Sequence, residues 1–115
     1  MPRLLVVDDE PSVQYSFRYV FEDDGVEVLT AGTASEGLDL YQRKNPDVVV
    51  LDLQLPDQSG LELFRQLRGQ GIPCPVVFIT AHGTGDTALQ AMRDGAFDYL
   101  IKPLEIGRAS CRERV

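Results

Sequence analysis

The sequence predicts a doubly wound α/β sheet, and three observations carry that prediction. Short apolar runs rich in β-branched residues recur along the chain, each of a length and composition suited to a strand buried on both faces. Stretches with apolar residues at helical spacing alternate with these runs, and strict alternation implies parallel strands, right-handed crossovers and helices on both faces. Finally, four runs end on polar residues: Leu4 to Val7 on Asp8 and Asp9, Val48 to Leu51 on Asp52, Val76 to Ile79 on Thr80, and Tyr99 to Ile101 on Lys102. In a parallel sheet all of these polar residues gather at the carboxyl edge, where such folds carry their chemistry.

The elements follow in order. Strand one is Arg3 to Val7, and Pro11-Ser12 opens a helix to about Asp23 with Val13, Phe17, Val20 and Phe21 on one face, stopped by Gly25. Strand two, Glu27 to Ala31, precedes Thr33-Ala34-Ser35-Glu36, a capping-box pattern that starts a helix carrying Leu38, Leu40 and Tyr41 through Lys44. Asn45-Pro46 ends it before strand three, Val48 to Asp52. Leu53 to Ser59, with Pro56 and Asp57, reads as loop, and the next helix, from about Gly60 to Gln70, buries Leu61, Phe64 and Leu67. Gly71 and Pro73 return the chain to strand four. Gly83-Thr84-Gly85 leads into a helix from about Asp86 to Asp94, which Gly95 ends before the short strand Asp98 to Ile101.

A chain of 115 residues can bury a core as one domain without staples. Its two cysteines, Cys74 and Cys111, are too few for a disulfide framework and read as free thiols; with no signal or membrane-length apolar stretch, a reducing cytoplasm is expected. A net charge of -7 argues against direct nucleic-acid binding, which needs a basic footprint. An acidic chain can still hold a cation.

Singly, each edge residue has an ordinary structural role. Asp8-Asp9 before Pro11 suits helix capping, Asp52 a turn, Thr80 a buried β-branched position and Lys102 a solvated strand end. Their joint placement points further. Three carboxylates packed together repel one another and need a compensating cation or protons. Magnesium meets that need, since it takes oxygen ligands from one or two carboxylates together with a substrate phosphate. Asp52 would then act as a nucleophile toward phosphorus, with the Lys102 ammonium and the Thr80 hydroxyl facing phosphoryl oxygens.

Through these residues the chain resembles the receiver domain of two-component response regulators. The resemblance spans about Met1 to Leu104 and rests on Val7-Asp8-Asp9-Glu10, Leu51-Asp52, Leu55-Pro56-Asp57, Thr80-Ala81 and Lys102-Pro103 in combination. It implies a flavodoxin-like five-stranded parallel sheet of order 2-1-3-4-5. It also implies that Asp52 is the phosphoacceptor, that Asp8 and Asp9 place Mg²⁺ beside Asp52, and that Gln54 is a metal ligand through its backbone carbonyl. Thr80 and Lys102 would bind the phosphoryl group, Ala81 would be the small residue beside the site, and Tyr99 the aromatic switch partner of Thr80. The Lys102-Pro103 bond is usually cis in the family.

The donor implied is a sensor histidine kinase or a phosphotransfer protein, and the domain is a regulatory phosphoacceptor, not a turnover enzyme. Thr80-Ala81-His82-Gly83 looks most like receivers of enhancer-binding transcriptional activators, which regulate transcription through a C-terminal output domain. His82 is either a solvated loop residue or a rim group that tunes acyl-phosphate hydrolysis.

Two other readings compete. A Mg²⁺-dependent phosphohydrolase also forms an aspartyl phosphate, but commonly carries a second aspartate two positions after the nucleophile, where this chain has Gln54, and no cap insertion is present. A non-phosphorylated interaction module on the same fold is opposed by the intact Asp8, Asp9, Asp52, Thr80 and Lys102.

The end of the chain departs from the family. Receivers normally finish on an amphipathic helix often used for dimerisation, whereas residues 106–115 resemble the conceptual translation of a sequencing adapter, so a receiver over 1–105 with a non-native tail is expected. Ile106, Ala109 and Val115 offer little apolar area. A homodimer is expected only where that last helix is intact.

Overall fold

The computed structural model describes residues 2–71, 73–81 and 85–102, with 85–88 described by their backbone alone. Strands β1 (Arg3–Val7), β2 (Glu27–Ala31), β3 (Val48–Asp52), β4 (Val76–Thr80) and β5 (Asp98–Ile101) alternate with helices α1 (Pro11–Phe21), α2 (Ala34–Lys44), α3 (Gly60–Gly69) and α4 (Gly85–Arg93). All strands pair in parallel in the order β2-β1-β3-β4-β5, as expected. The chain passes from β2 on one side of β1 to β3 on the other. The strand order therefore reverses at β1, and Asp8 and Asp52 leave the sheet beside that switch point.

Alternation along each strand divides the core into two layers. Leu5, Val7, Val49, Leu51 and Phe78 pack with Tyr41 of α2, Leu63, Phe64 and Leu67 of α3, and Ala91 of α4. Leu4, Val6, Val50 and Ile79 face the other way, onto Val13 and Phe17 of α1. The rings of Phe64 and Phe78 meet edge to face with centroids 5.3 Å apart, and burying an aromatic or branched side chain of this kind contributes about 1.5–3 kcal/mol.

Local signals fix where the helices start and stop. The Thr33 hydroxyl accepts the Glu36 N–H at 3.1 Å, while the Glu36 carboxylate reaches back to the Gly32 N–H at 2.7 Å, so the capping box closes one residue further back than its usual form. Asn45 ends α2 with φ of 48°, the left-handed cap that asparagine tolerates. Ser59 caps α3 through the Glu62 N–H.

Three details depart from the sequence reading. The first helix stops at Phe21 and tightens into a 3₁₀ turn over Glu22–Asp24 before Gly25. In α3 it is Leu63 that is buried with Phe64 and Leu67, while Leu61 is half-buried, because the sheet accepts a stripe wider than one row of side chains. Within the expected loop, Gln54 and Ser59 form an antiparallel bridge. Cys74 is buried and free. The readings of His82, of the Lys102-Pro103 bond, of Cys111 and of the 106–115 tail lie outside the described residues. No helix among the described residues is long and apolar enough to cross a membrane.

Candidate functional site

Two buried aspartates reach the carboxyl edge from adjacent strands and are held by the same device. Val7 and Leu51 are paired across the sheet, so the residues that follow them, Asp8 and Asp52, emerge side by side. Asp8 Oδ1 accepts the Glu10 N–H at 2.9 Å, and Asp52 Oδ1 accepts the Gln54 N–H at 2.9 Å. In each case a carboxylate bonds the backbone two residues on, which fixes the turn out of the strand and aims the second oxygen away from it. Both second oxygens meet one ammonium: Lys102 Nζ lies 3.0 Å from Asp8 Oδ2 and 3.0 Å from Asp52 Oδ2. Lys102 reaches across from the end of β5, where its backbone N–H donates to the Thr80 carbonyl at 2.8 Å and so holds it at the carboxyl edge.

Glu10 completes the contacts of Lys102, its carboxylate being the third to accept from the same ammonium. Sequence reasoning missed this residue. The chain bends at Asp9 and the Asp8 carboxylate accepts the Glu10 N–H, so the turn out of β1 returns Glu10 to the side of Asp8. Asp8 and Glu10 therefore turn toward Lys102, and Asp9 does not. Asp9 instead lines an open cavity of about 380 Å³ with Glu10, Asp52, Gln54, Leu55, Pro56, Ala81 and Lys102. Thr80 is buried at the end of β4, and Tyr99, 38% exposed on β5, points outward.

Among the described residues, the site is short of positive charge. Three carboxylates share one ammonium, and their ligand oxygens lie within 4.8 Å of one another. Asp8 is fully buried, and burial raises its pKa, with the negative charge of Asp52 adding to the rise; the Glu10 N–H and Lys102 oppose it. Burial pulls the Lys102 pKa down, but the carboxylates of Glu10, Asp8 and Asp52 around its ammonium together outweigh that and hold it above the usual lysine range. Asp8 Oδ2 stands at ion-pair distance from Nζ without an aligned hydrogen bond, so it is a buried oxygen with unused acceptor capacity.

Comparison with known proteins decides the family. The sequence profile described as the response regulator receiver domain matches residues 4–110. The chain belongs to the response regulator receiver domain family. It is similar to the alginate biosynthesis transcriptional regulatory protein AlgB of Pseudomonas aeruginosa, with 46% identity over 88% of this chain and 22% of that protein. The regulatory protein LuxO of Vibrio vulnificus is 37% identical over 90% of this chain and 23% of its own length. Among solved structures, the non-phosphorylated HemR receiver domain of Leptospira biflexa superposes with a TM-score of 0.86 at 31% identity, covering 99% of this chain and 92% of that one. The receiver domain thus spans less than a quarter of the curated relatives it matches. AlgB is by name a transcriptional regulatory protein and LuxO a regulatory protein. As a receiver domain, the protein is a regulatory phosphoacceptor unit of two-component signalling.

Proposed function

We propose that Asp52 is the phosphoacceptor and that this domain takes a phosphoryl group from a sensor histidine kinase or phosphotransfer protein. The observation that carries the reading is the shared contact of Lys102 with the Oδ2 atoms of Asp52 and Asp8 at the mouth of an open cavity. An oxygen of Asp52 attacks phosphorus, the bond from phosphorus to the donor nitrogen breaks, and its electron pair leaves with the donor imidazole. Lys102 follows the charge onto the phosphoryl oxygens, and the Thr80 hydroxyl donates to one of them.

The donor set suits Mg²⁺: hard oxygens only, a deficit of positive charge, and one buried carboxylate oxygen with spare acceptor capacity. Asp8, Asp9 and Asp52 would hold it through their carboxylates and Gln54 through its backbone carbonyl. When bound, the ion neutralises the acidic cluster and the incoming phosphoryl charge.

Switching from mostly inactive to mostly active needs about 5.5 kcal/mol of differential interaction. Hydrogen bonds to charged groups contribute roughly 1.5–3 kcal/mol each, so the Thr80 and Lys102 contacts supply most of it. Thr80 moves toward the phosphoryl group and Tyr99 turns inward behind it. The altered α4–β5 face then signals to a C-terminal output domain that regulates transcription in the cytoplasm. A phosphohydrolase is disfavoured because Gln54 stands where its acid/base would be, with its N–H committed to Asp52.

The test is incubation with Mg²⁺ and a small acyl phosphate, read by intact mass. One phosphoryl group is expected on the wild type and none on Asp52→Asn. Full labelling of that variant, or labelling undiminished by excess chelator, would refute the assignment.

A further inference from the structure

We infer that Asp57 is a positioning residue for the phosphorylation site, a clamp that holds the loop after Asp52 against the amino end of α2. The inference rests on Asp52 being the acceptor. The loop from Leu53 to Ser59 forms one wall of the cavity through Gln54, Leu55 and Pro56. Its base is closed by the Gln54–Ser59 bridge and by the Gly60 N–H, which donates to the Leu53 carbonyl at 3.0 Å. Its tip reaches across to another element. Asp57 Oδ1 accepts the Ala34 N–H at 2.8 Å, and Oδ2 accepts the Ser35 N–H at 3.0 Å.

Those two amides are the first of α2, which a helix cannot satisfy internally. Thr33 caps the third through its hydroxyl, so the helix's own cap and the carboxylate from the loop divide the free donors between them. A carboxylate engaged through both oxygens is fixed in orientation as well as position, and the partial positive charge of the helix end favours it. The two bonds hold the ionised form of Asp57 below its usual range. Gln58 ties the other side of the tip to α3 through Gln66 at 3.2 Å. The consequence falls on Gln54, three residues before the clamp: its carbonyl points where the loop points, and Asp57 sets the loop. Neither charge nor hydrophobicity along the sequence marks Asp57 for this work, because its partners lie more than twenty residues earlier.

The experiment compares Asp57→Ala, Asp57→Asn and Thr33→Ala in the full chain. Thr33→Ala removes a cap from the same helix end without touching the loop, so it reports the cost of a weakened α2 alone. Without Mg²⁺, amide exchange at Gln54, Leu55 and Gln58 is expected to quicken in Asp57→Ala and to stay at the wild-type rate in Thr33→Ala. Titration with Mg²⁺, followed by backbone amide shifts, is expected to show affinity about tenfold weaker in Asp57→Ala, the scale of losing an outer support of a metal site. Asp57→Asn retains one acceptor and should fall between. Unchanged loop exchange in Asp57→Ala, or equal loss of Mg²⁺ affinity in Thr33→Ala, would overturn the clamp. A wild-type chain that binds Mg²⁺ yet takes no phosphoryl group would instead refute Asp52 as acceptor, and the exchange pattern would still decide whether Asp57 holds the loop.

Discussion

Gly60 passes so close to Asp52 that a Cβ on it would lie 2.0 Å from the Asp52 carbonyl oxygen. The contact is backbone to backbone, so no side chain can rotate away to make room. Gly60→Ala is therefore expected to push α3 off the end of β3, costing about 2 kcal/mol or more of stability. It should also slow labelling of Asp52 by a small acyl phosphate. Urea unfolding of the variant checks the first effect and intact mass the second; a variant as stable as wild type would contradict the close approach.

Lys102→Ala removes the only ammonium that faces Asp8 and Asp52 among the described residues, leaving two buried carboxylates against each other. Breaking a buried ion pair from one side costs about 3 kcal/mol or somewhat more. Mg²⁺ can replace the lost charge, so the divalent ion should raise the melting temperature of the variant more than that of the wild type. Phosphoryl transfer should be slow even when Mg²⁺ saturates. Thermal melts with and without Mg²⁺ check this, and equal gains in both proteins would count against the ammonium as the counter-charge.

Asp57 gives a pH dependence with a definite sign. Its folded pKa lies below the ordinary 3.8 because the Ala34 and Ser35 amides hold the charged form. Its stabilising contribution is therefore complete above the unfolded value and is lost as pH falls through the folded one. The stability difference between wild type and Asp57→Asn is expected to be flat at neutral pH and to shrink below about pH 4. Urea midpoints measured across that range would show it; a difference that grows on acidification has the wrong sign.

Tyr99 is 38% exposed and Thr80 is buried. If phosphorylation draws Thr80 toward the acceptor, Tyr99 should lose solvent contact. Ring resonances of Tyr99 and its rate of iodination are expected to change on phosphorylation in wild type and not in Thr80→Ala. Identical behaviour of the two proteins would break the proposed coupling.

The strands were legible because each is an apolar β-branched run ended by a polar residue, and in a doubly wound sheet that pattern also names the functional edge. Asp8, Asp52 and Lys102 are in direct contact, as their shared edge implied. Glu10 and Asp57 were illegible as contributors for different reasons. Glu10 sits at a helix entry, where an acid is ordinary, and only the turn closed by the Asp8 carboxylate on the Glu10 N–H brings it to Lys102. Asp57 acts on amides of a helix distant in sequence, a relationship that exists only once α2 and α3 are packed side by side. Leu63 was missed because a single helical row was taken as the buried face where the sheet buries a wider one.

The ammonium that balances the acids follows β5, a four-residue strand at the margin of the sheet whose side chains are mostly exposed. Asp8, Glu10 and Asp52 all leave the ribosome before it. During synthesis these acids are made before their counter-charge, so the Lys102 contacts can form only once β5 has joined the sheet. A short edge strand with mostly exposed side chains is expected to open at lower free energy than the buried β1 and β3. Exchange at Tyr99 and Leu100 faster than at Val49 and Val50 would record that order. If Asp52 is the acceptor, a chain whose edge strand has frayed should take up a phosphoryl group more slowly than the intact domain, although the rest of its sheet still stands.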